Sequence, residues 1–246
     1  MLDSIHYFVI SILQYLDSVT GSLGWSIIIF TLGVRLSLIP ITLPSLKVAK
    51  RMRELQPKIK KLKAKFKKDN VGLQKAQMEL YKEHQINPSA GCLPQIVQLV
   101  VLIILYRVFI NFLQNDIDGM NINFFWLNLS QPDKKYILPV LAAASQFILS
   151  LMISPATDTS AEHVLANSTK TKKDDIEANN MDDMASTMQQ QMMFTMPIMT
   201  GFIATRFPSG LALYWVVGTI VSIIQQYLVS GWGGLNKYIR KFHPNK

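Results

Sequence analysis

Apolar residues in this chain gather into five runs, which are separated by polar or basic segments. The runs cover residues 24–44, 91–113, 136–153, 191–207 and 208–229. A helix of about 20 residues crosses the hydrocarbon core of a bilayer, which is about 30 Å thick. Because the runs approach that length, the pattern predicts an all-α membrane protein with five transmembrane helices, spans 1 to 5 in chain order.

Residues 1–23 differ from these runs, because their apolar positions occupy one face of a helix. That face holds Leu2, Ile5, Val9, Ile12, Leu13 and Leu16, and the opposite face holds Asp3, Ser4, Ser11, Gln14 and Asp17. A helix of this mixed character is too polar to cross a membrane but suits the interface between lipid and water. The segment is therefore predicted to be an interfacial amphipathic helix.

Residues 45–90 are strongly basic, with 13 lysines and arginines against four acidic residues. Apolar residues recur at the three- and four-residue spacing of paired helices, first at Met52, Leu55, Ile59, Leu62 and Phe66 and then at Leu73, Ala76 and Leu80. This pattern predicts a cytoplasmic helical hairpin, with Pro57 at a kink or a restart. Its lysines, among them Lys60, Lys61 and Lys67, form either a solvated face or a surface for anionic lipid or ribosomal RNA.

The distribution of positive charge predicts the orientation of the five spans. Segments 45–90, 154–190 and 230–246 fall on one side and carry 20 lysines and arginines, against three on the other side. By the positive-inside rule, the N-terminus lies outside and the C-terminus in the cytoplasm. Residues 154–190 then form a polar cytoplasmic loop, and residues 230–246 form a basic cytoplasmic tail. Residues 114–135 form an extracytoplasmic loop whose aromatic residues Phe124, Phe125 and Trp126 are typical of an interfacial belt.

Arg35 lies near the middle of span 1, eleven residues from Gly24 and nine from Pro44. An arginine at the centre of a span costs about 2.5–3.5 kcal/mol on insertion scales, so it needs water or a polar partner. Neither end of the span is close enough for its side chain to snorkel easily. A functional, water-exposed arginine is therefore the favoured interpretation, and a purely structural arginine is the alternative.

The remaining polar residues of the spans concentrate in the inner half of the membrane. Arg35, Gln146 and Thr219 fall near mid-depth, and the residues nearer the cytoplasm are Ser37, Thr42, Gln95, Gln98, Ser150, Ser222, Gln225 and Gln226. Each glutamine or serine alone is explained by interhelical hydrogen bonding. Their shared depth, together with Arg35, instead predicts a hydrophilic groove that is wet from the cytoplasm and sealed outside.

The spans contain no aspartate or glutamate, and the four histidines lie outside them. A carboxylate proton relay is therefore excluded within the spans, and neither a metalloprotease motif nor a nucleotide-binding loop occurs. An arginine without such partners stays protonated and cannot perform acid–base catalysis at neutral pH. The sequence predicts no catalytic residue, metal site or cofactor, and hence no enzyme.

Six methionines form a single helical stripe that leads into span 4. They are Met181, Met184, Met188, Met192, Met196 and Met199, at spacings of three and four residues. Ordinary packing against a neighbouring helix explains such a stripe. The alternative is that Met188, Met192 and Met196 receive apolar client segments of varied sequence, because methionine adapts its shape.

Several stretches together resemble the YidC family of membrane protein insertases in its short form. They are FTLGVRLSLIPIT around Arg35, LQPKIKKLKAKFKKDN, ELYKEHQINPSAGCLPQIVQ, MMFTMPIMTGF, FPSGLALYWVV and IIQQYL. The resemblance runs from about Trp25 to Leu228, with its motifs in the family's order. Departures are Thr219 where the family often has asparagine, the long acidic loop 154–190 and the short tail.

The resemblance implies a groove that receives client segments, with Arg35, Gln146 and Trp215 among its lining residues. Gln98, Tyr214 and Thr219 complete the predicted groove set. The implied partners are nascent membrane-protein clients and the lipid bilayer, with the ribosome, the signal recognition pathway and the general secretion channel as further candidates. The chain carries a formal net charge of +9, but the charge lies in membrane-flanking segments and does not indicate DNA binding.

The resulting hypothesis is a multi-pass insertase and chaperone of the bacterial plasma membrane. No removable targeting segment is apparent at the start of the sequence, which favours this location over an organelle. Two rival functions remain open at this point. A small-molecule or anion transporter would use Arg35 as its binding site, and a lipid scramblase would also need an open polar groove.

Overall fold

The computed structural model describes residues 2–66, 69–87, 93–114, 121–153 and 194–236, and these residues are mostly helical. The helices are α1 (Leu2–Thr20), α2 (Leu23–Ser37), α3 (Ile39–Glu54), α4 (Gln56–Lys65), α5 (Asn70–Glu83), α6 (Leu93–Gln114), α7 (Ile137–Ile153), α8 (Phe194–Ala204) and α9 (Ser209–Ser230). A short antiparallel pair, β1 (Asn123–Phe124) and β2 (Leu127–Asn128), precedes α7.

Helix α9 is the centre of the bundle and packs against α2, α3, α6 and α7, while α1 packs against α2 and α6. Small residues allow this close packing, as at Gly210, where an added methyl group would overlap the ring of Phe109 on α6. The main buried cluster joins these helices and includes Leu13, Leu23, Ile27, Leu105, Val108, Phe109, Leu129, Leu211 and Tyr214.

Two segments of the described chain meet the length and composition of a membrane span. Helix α9 does so alone, and α2 with α3 does so as a pair that is bent by 66°. Helices α7 and α8 and residues 96–110 of α6 are shorter apolar helices. The complete five-span layout and its boundaries therefore stay predictions, and parts of the predicted spans 2 and 4 lie outside the described residues.

The predicted continuous span over residues 24–44 is in fact broken at Leu38. Pro40 explains the break, because it has no N–H to donate to the Leu36 carbonyl and its ring crowds that carbonyl. Arg35 consequently lies in the last turn of α2, beside the bend, instead of in the middle of a straight helix. Helix α3 runs through the predicted boundary at residues 44 and 45 without interruption.

The helical hairpin forms from α4 and α5, with a restart at Gln56 next to Pro57. Its buried cluster contains Leu55, Ile59 and Ile86, and Met52 and Leu80 of the predicted stripes pack against it. Asp69 begins α5 as an N-cap, since its side chain accepts a hydrogen bond from the Gly72 N–H at 2.8 Å. The three-and-four spacing therefore located the seam of this hairpin.

Helix α1 corrects one part of the predicted amphipathic pattern. Val9 and Leu13 are buried as expected, but Asp17 is also buried, with 8% of its surface exposed. Residues 9, 13 and 17 share one helical face at a spacing of four, so Asp17 belongs to the buried face and not the polar one. Its Oδ1 lacks a hydrogen-bond partner among the described residues, and burial raises the pKa of its carboxyl group.

Residues 121–131, which include β1 and β2, supply acceptors for the first N–H groups of two bundle helices, which have no partner within their own helix. Leu23 at the start of α2 donates to the Asn121 carbonyl at 3.2 Å. Ser209 and Gly210 of α9 donate to the carbonyls of Gln131 and Leu129 at 2.8 and 3.0 Å. The β1–β2 hairpin and its flanks therefore hold the N-terminal ends of α2 and α9 together.

Asp133 supports the start of α7 and gives a test of this region of the fold. Its carboxylate accepts hydrogen bonds from the backbone N–H groups of Lys135 at 3.0 Å and Leu138 at 2.8 Å, and the side chain is buried. Asp133→Ala leaves both donors without this acceptor, so we expect a loss of about 1–3 kcal/mol in unfolding free energy. Asp133→Asn keeps one acceptor oxygen, so its unfolding free energy should fall by less than that of Asp133→Ala.

Thermal unfolding of the purified protein in detergent measures this effect. The two variants should rank below the wild type, with alanine the lower of the two. Equal melting temperatures for Asp133→Ala and the wild type would show that Asp133 does not support α7.

Candidate functional site

Arg35 is held by side chains from two other helices. Its Nη1 donates a hydrogen bond to Ser222 Oγ of α9 at 2.8 Å, and its Nη2 donates to Gln98 Oε1 of α6 at 2.5 Å. Both acceptors are neutral, and no carboxylate among the described residues pairs with the guanidinium. Arg35 therefore keeps its full positive charge, and two of its five N–H donors are occupied by these bonds.

Gly218 allows α9 to approach this arginine closely. A methyl group added at Gly218 would lie 2.8 Å from Arg35 Nη2 and 3.2 Å from Nε. The Gly218 carbonyl also accepts a hydrogen bond from Ser222 Oγ at 3.0 Å, which orients the serine that binds Arg35. The guanidinium thus lies directly against the backbone of α9.

Arg35 faces a cavity of about 290 Å³ that residues of α2, α3, α6, α7, α8 and α9 line. Its polar lining consists of Arg35, Thr42, Ser45, Gln98, Gln146, Thr200, Thr219, Ser222 and Gln225, with Trp215 beside them. Its apolar lining consists of Leu46, Ala49, Leu149, Ile153, Met196, Met199 and Ile203. Such a lining can accept either a polar segment or an apolar one.

The cavity occupies the end of the bundle that lies away from the β1–β2 hairpin. Residues of α9 between Trp215 and Gln225 line the cavity. The β1–β2 hairpin and its flanks contact Ser209 and Gly210, at the opposite end of α9. Between them the interior is filled by buried residues such as Leu211 and Tyr214. Thr31, one turn before Arg35 on α2, is fully buried and donates its hydroxyl to the Ile27 carbonyl of its own helix at 2.6 Å.

Five of the six predicted groove residues line this cavity: Arg35, Gln98, Gln146, Trp215 and Thr219. The sixth, Tyr214, is buried beside Arg35 and Gln98, with 2% of its surface exposed, and does not line the cavity. Tyr214 and Trp215 point in different directions from α9, and only Trp215 is turned toward the cavity. Tyr214 therefore supports Arg35 from the packed side.

The predicted client-recruitment residues fall into three groups. Met196 lines the cavity together with Met199. Lys60 and Lys61 are exposed on α4 of the helical hairpin and do not line the cavity. Lys67, Met188 and Met192 lie outside the described residues.

Sequence reasoning missed Ser45 and Thr200 as lining residues. Ser45 was assigned to the hairpin, but the bend at Leu38 turns α3 across the cavity and carries Ser45 with it. The signal for this bend in the sequence is Pro40, which the prediction of a span over residues 24–44 did not use. Thr200 lies on α8, four residues beyond Met196 on the same helical face, so the methionine stripe itself could have identified it.

The described residues offer no other chemistry at this site. They bring together no group of three or more histidine, cysteine, aspartate or glutamate side chains that could hold a metal ion. What the site provides is a fixed positive charge, a set of neutral hydrogen-bonding groups and an adjustable apolar wall. Gln98 Nε2 is buried without a hydrogen-bond partner, which leaves a donor beside Arg35 unsatisfied among the described residues.

Comparison with known proteins identifies close relatives for most of the chain. The family model described as 60Kd inner membrane protein matches residues 15–233. The membrane protein insertase YidC of Fusobacterium nucleatum is 35% identical over 222 residues, covering 90% of this chain and 93% of the relative. The protein of the same name from Clostridium perfringens is 34% identical over 232 residues, covering 93% of this chain and 86% of that protein.

Other relatives are much longer than this chain. The membrane protein insertase YidC of Geobacter sp. (strain M21) is 36% identical over 220 residues, which make up 35% of its own length. A crystal structure of an active YidC insertase, with its first transmembrane domain resolved, matches with a TM-score of 0.65 at 26% identity. The match covers 92% of this chain and 46% of that structure.

These comparisons confirm the family resemblance that the sequence motifs indicated. They also confirm a mostly helical fold like that of the solved insertase and a place among inner membrane proteins. The family acts in membrane protein insertion and is not a family of enzymes. By the extent of the family match and the identity to full-length relatives, this chain belongs to the YidC family of membrane protein insertases.

Proposed function

We propose that this chain inserts small membrane proteins, and helps them fold, through the cavity beneath Arg35. The observation that carries the proposal is the positive charge of Arg35, which has no carboxylate partner among the described residues and is held against α9 beside a cavity with a mixed polar and apolar lining. Family membership supports the same function. The proposal includes five spans, an N-terminus outside and a cytoplasmic C-terminus.

The proposed mechanism begins with the polar end of a client. Arg35 attracts an acidic or polar flank of the client into the cavity, where Gln98, Gln146 and Thr219 replace part of its hydration. This shortens the distance that the flank crosses in contact with hydrocarbon, where each unsatisfied polar group costs several kcal/mol. Arg35 acts by charge and hydrogen bonding, without forming or breaking covalent bonds.

The driving force comes from the client and the membrane. The apolar helix of the client gains about 25 cal/mol for each Å² of apolar surface that leaves water. The membrane potential adds about 2.3 kcal/mol for each negative charge that moves outward across 100 mV. In this scheme the chain itself needs no nucleotide or other cofactor.

Two parts of the chain are proposed to receive the client before it enters the cavity. The basic hairpin, with Lys60, Lys61 and Lys67, would attract acidic client segments or anionic lipid near the membrane surface. The stripe of Met188, Met192 and Met196 would contact apolar client segments, and Met196 supports this role because it lines the cavity. Docking of the ribosome, the signal recognition pathway or the general secretion channel is proposed only by analogy with the family.

Reconstitution tests this function against its rivals. Purified protein in lipid vesicles should protect a single-span client with an acidic N-terminus from added protease, and protein-free vesicles should not. The same vesicles are assayed for anion flux and for flipping of a dye-labelled lipid. Insertion without flux or flipping supports the proposal, whereas saturable anion flux or lipid flipping without insertion would favour the transporter or the scramblase.

A further inference from the structure

Two exposed aromatic residues at the outer end of the bundle have a backbone conformation that disfavours them. Phe125 has φ 53° and Tyr136 has φ 57°, while 78% and 59% of their surfaces are exposed. Glycine and asparagine adopt this left-handed region readily, but bulky residues rarely do. Since neither side chain is buried, burial in the bundle does not explain why a large ring occupies each position.

Phe125 belongs to a row of aromatic rings that begins in the core. Buried Phe124 lies against Gly24 and contacts Trp25 edge-on, with 5.7 Å between the ring centroids. Phe125 contacts Phe124 at 4.6 Å and Trp126 at 6.1 Å. Phe124 thus fixes the β1–β2 hairpin to α2, while Trp25, Phe125 and Trp126 extend to the surface.

These rings lie at the ends of exposed apolar stripes on two helices. On α2 the stripe consists of Trp25, Ile29, Leu32 and Leu36, at spacings of four, three and four residues. On α7 a second exposed row runs from Tyr136 and Ile137 through Val140, Leu141 and Ile148. In a membrane protein such stripes face lipid, and their aromatic ends therefore lie at one boundary of the hydrocarbon layer.

We propose that Trp25, Phe125, Trp126 and Tyr136 form an anchor in the outer leaflet, at the boundary between lipid headgroups and acyl chains. Aromatic rings favour this level because one part of the ring can be apolar and another wet. Exposed Lys134 and Lys135, next to Tyr136, provide charges for headgroup phosphates. The anchor fixes the depth of the bundle in the bilayer, and it depends on membrane location and not on the proposed action of Arg35.

Spin labels can locate the anchor directly. Phe125→Cys and Tyr136→Cys are prepared in a Cys92→Ser background, labelled with a nitroxide and reconstituted in lipid vesicles. A label at exposed Gln74 of the helical hairpin gives the aqueous reference. A label at Leu32 of the α2 stripe gives the lipid reference. Collision with oxygen and with a water-soluble nickel complex should place residues 125 and 136 between these references. Collision rates at residues 125 and 136 equal to those at Gln74 would overturn the proposal.

A second measurement tests whether the rings set the depth. The double variant Phe125→Gly and Tyr136→Gly removes both rings and relaxes both backbone positions, so its melting temperature in detergent should not fall. The depth of a label at Leu32 should nevertheless shift relative to the parent protein in the same vesicles. An unchanged depth would overturn the anchor, even if the variant folds and inserts clients normally.

Discussion

Arg35→Ala is expected to lower the rate of client insertion by roughly 10- to 100-fold for a client with an acidic N-terminus. A hydrogen bond from a charged group contributes about 1.5–3 kcal/mol, and each 1.36 kcal/mol corresponds to a factor of ten in rate. Arg35→Lys keeps the positive charge but cannot bind Ser222 and Gln98 with one planar fork, so its loss should be smaller. The insertion rate should therefore fall in the order wild type, Arg35→Lys, Arg35→Ala.

Protease protection of the client in reconstituted vesicles measures these rates. Arg107→Ala is the matched control, because Arg107 belongs to an apolar helix too, but is exposed and does not line the cavity. A second client with a neutral N-terminus should depend less on Arg35, since the attraction between opposite charges is absent. Equal insertion rates for Arg35→Ala and the wild type across several clients would show that insertion in general does not require the positive charge of Arg35.

The sequence predicted the helices and much of the candidate site because both depend on local patterns. Spacings of three and four residues located the hairpin seam around Leu55 and Ile59. The depth of polar residues within apolar runs selected Gln98, Gln146 and Thr219, which the structure places around one cavity with Arg35. Their functional roles stay predictions.

The features that sequence reasoning missed depend on contacts between distant segments. Ser222 and Arg35 are 187 residues apart, and only the packing of α9 against α2 decides that Ser222 is the partner. Asp17 is buried because it shares the face of Val9 and Leu13 that packs against the bundle, whereas its polarity alone assigned it to the opposite face. The β1–β2 hairpin and its flanks likewise accept hydrogen bonds from the first N–H groups of α2 and α9 through backbone carbonyls, which carry no side-chain signal.

Gly218 gives a prediction that moves Arg35 without removing its charge. Gly218→Val is expected to lower insertion about as much as Arg35→Ala, because its side chain would occupy the space of the guanidinium. Gly218→Ala should have a smaller effect, since its methyl group would lie 2.8 Å from Nη2 and the flexible arginine can shift. Adding Arg35→Lys to Gly218→Ala should restore part of the loss, because an ammonium group needs less space beside α9.

Gly33 provides the matched control, since it lies on the same helix as Arg35 and no described atom lies within 4 Å of a methyl group added there. Gly33→Ala and Gly33→Val should insert clients at nearly the wild-type rate. Alanine also favours a helix over glycine by about 1 kcal/mol, so a loss in Gly218→Ala cannot come from a weaker α9. Wild-type insertion by a correctly folded Gly218→Val protein would mean that the charge works without its fixed position, and that Arg35 contributes only its long-range field.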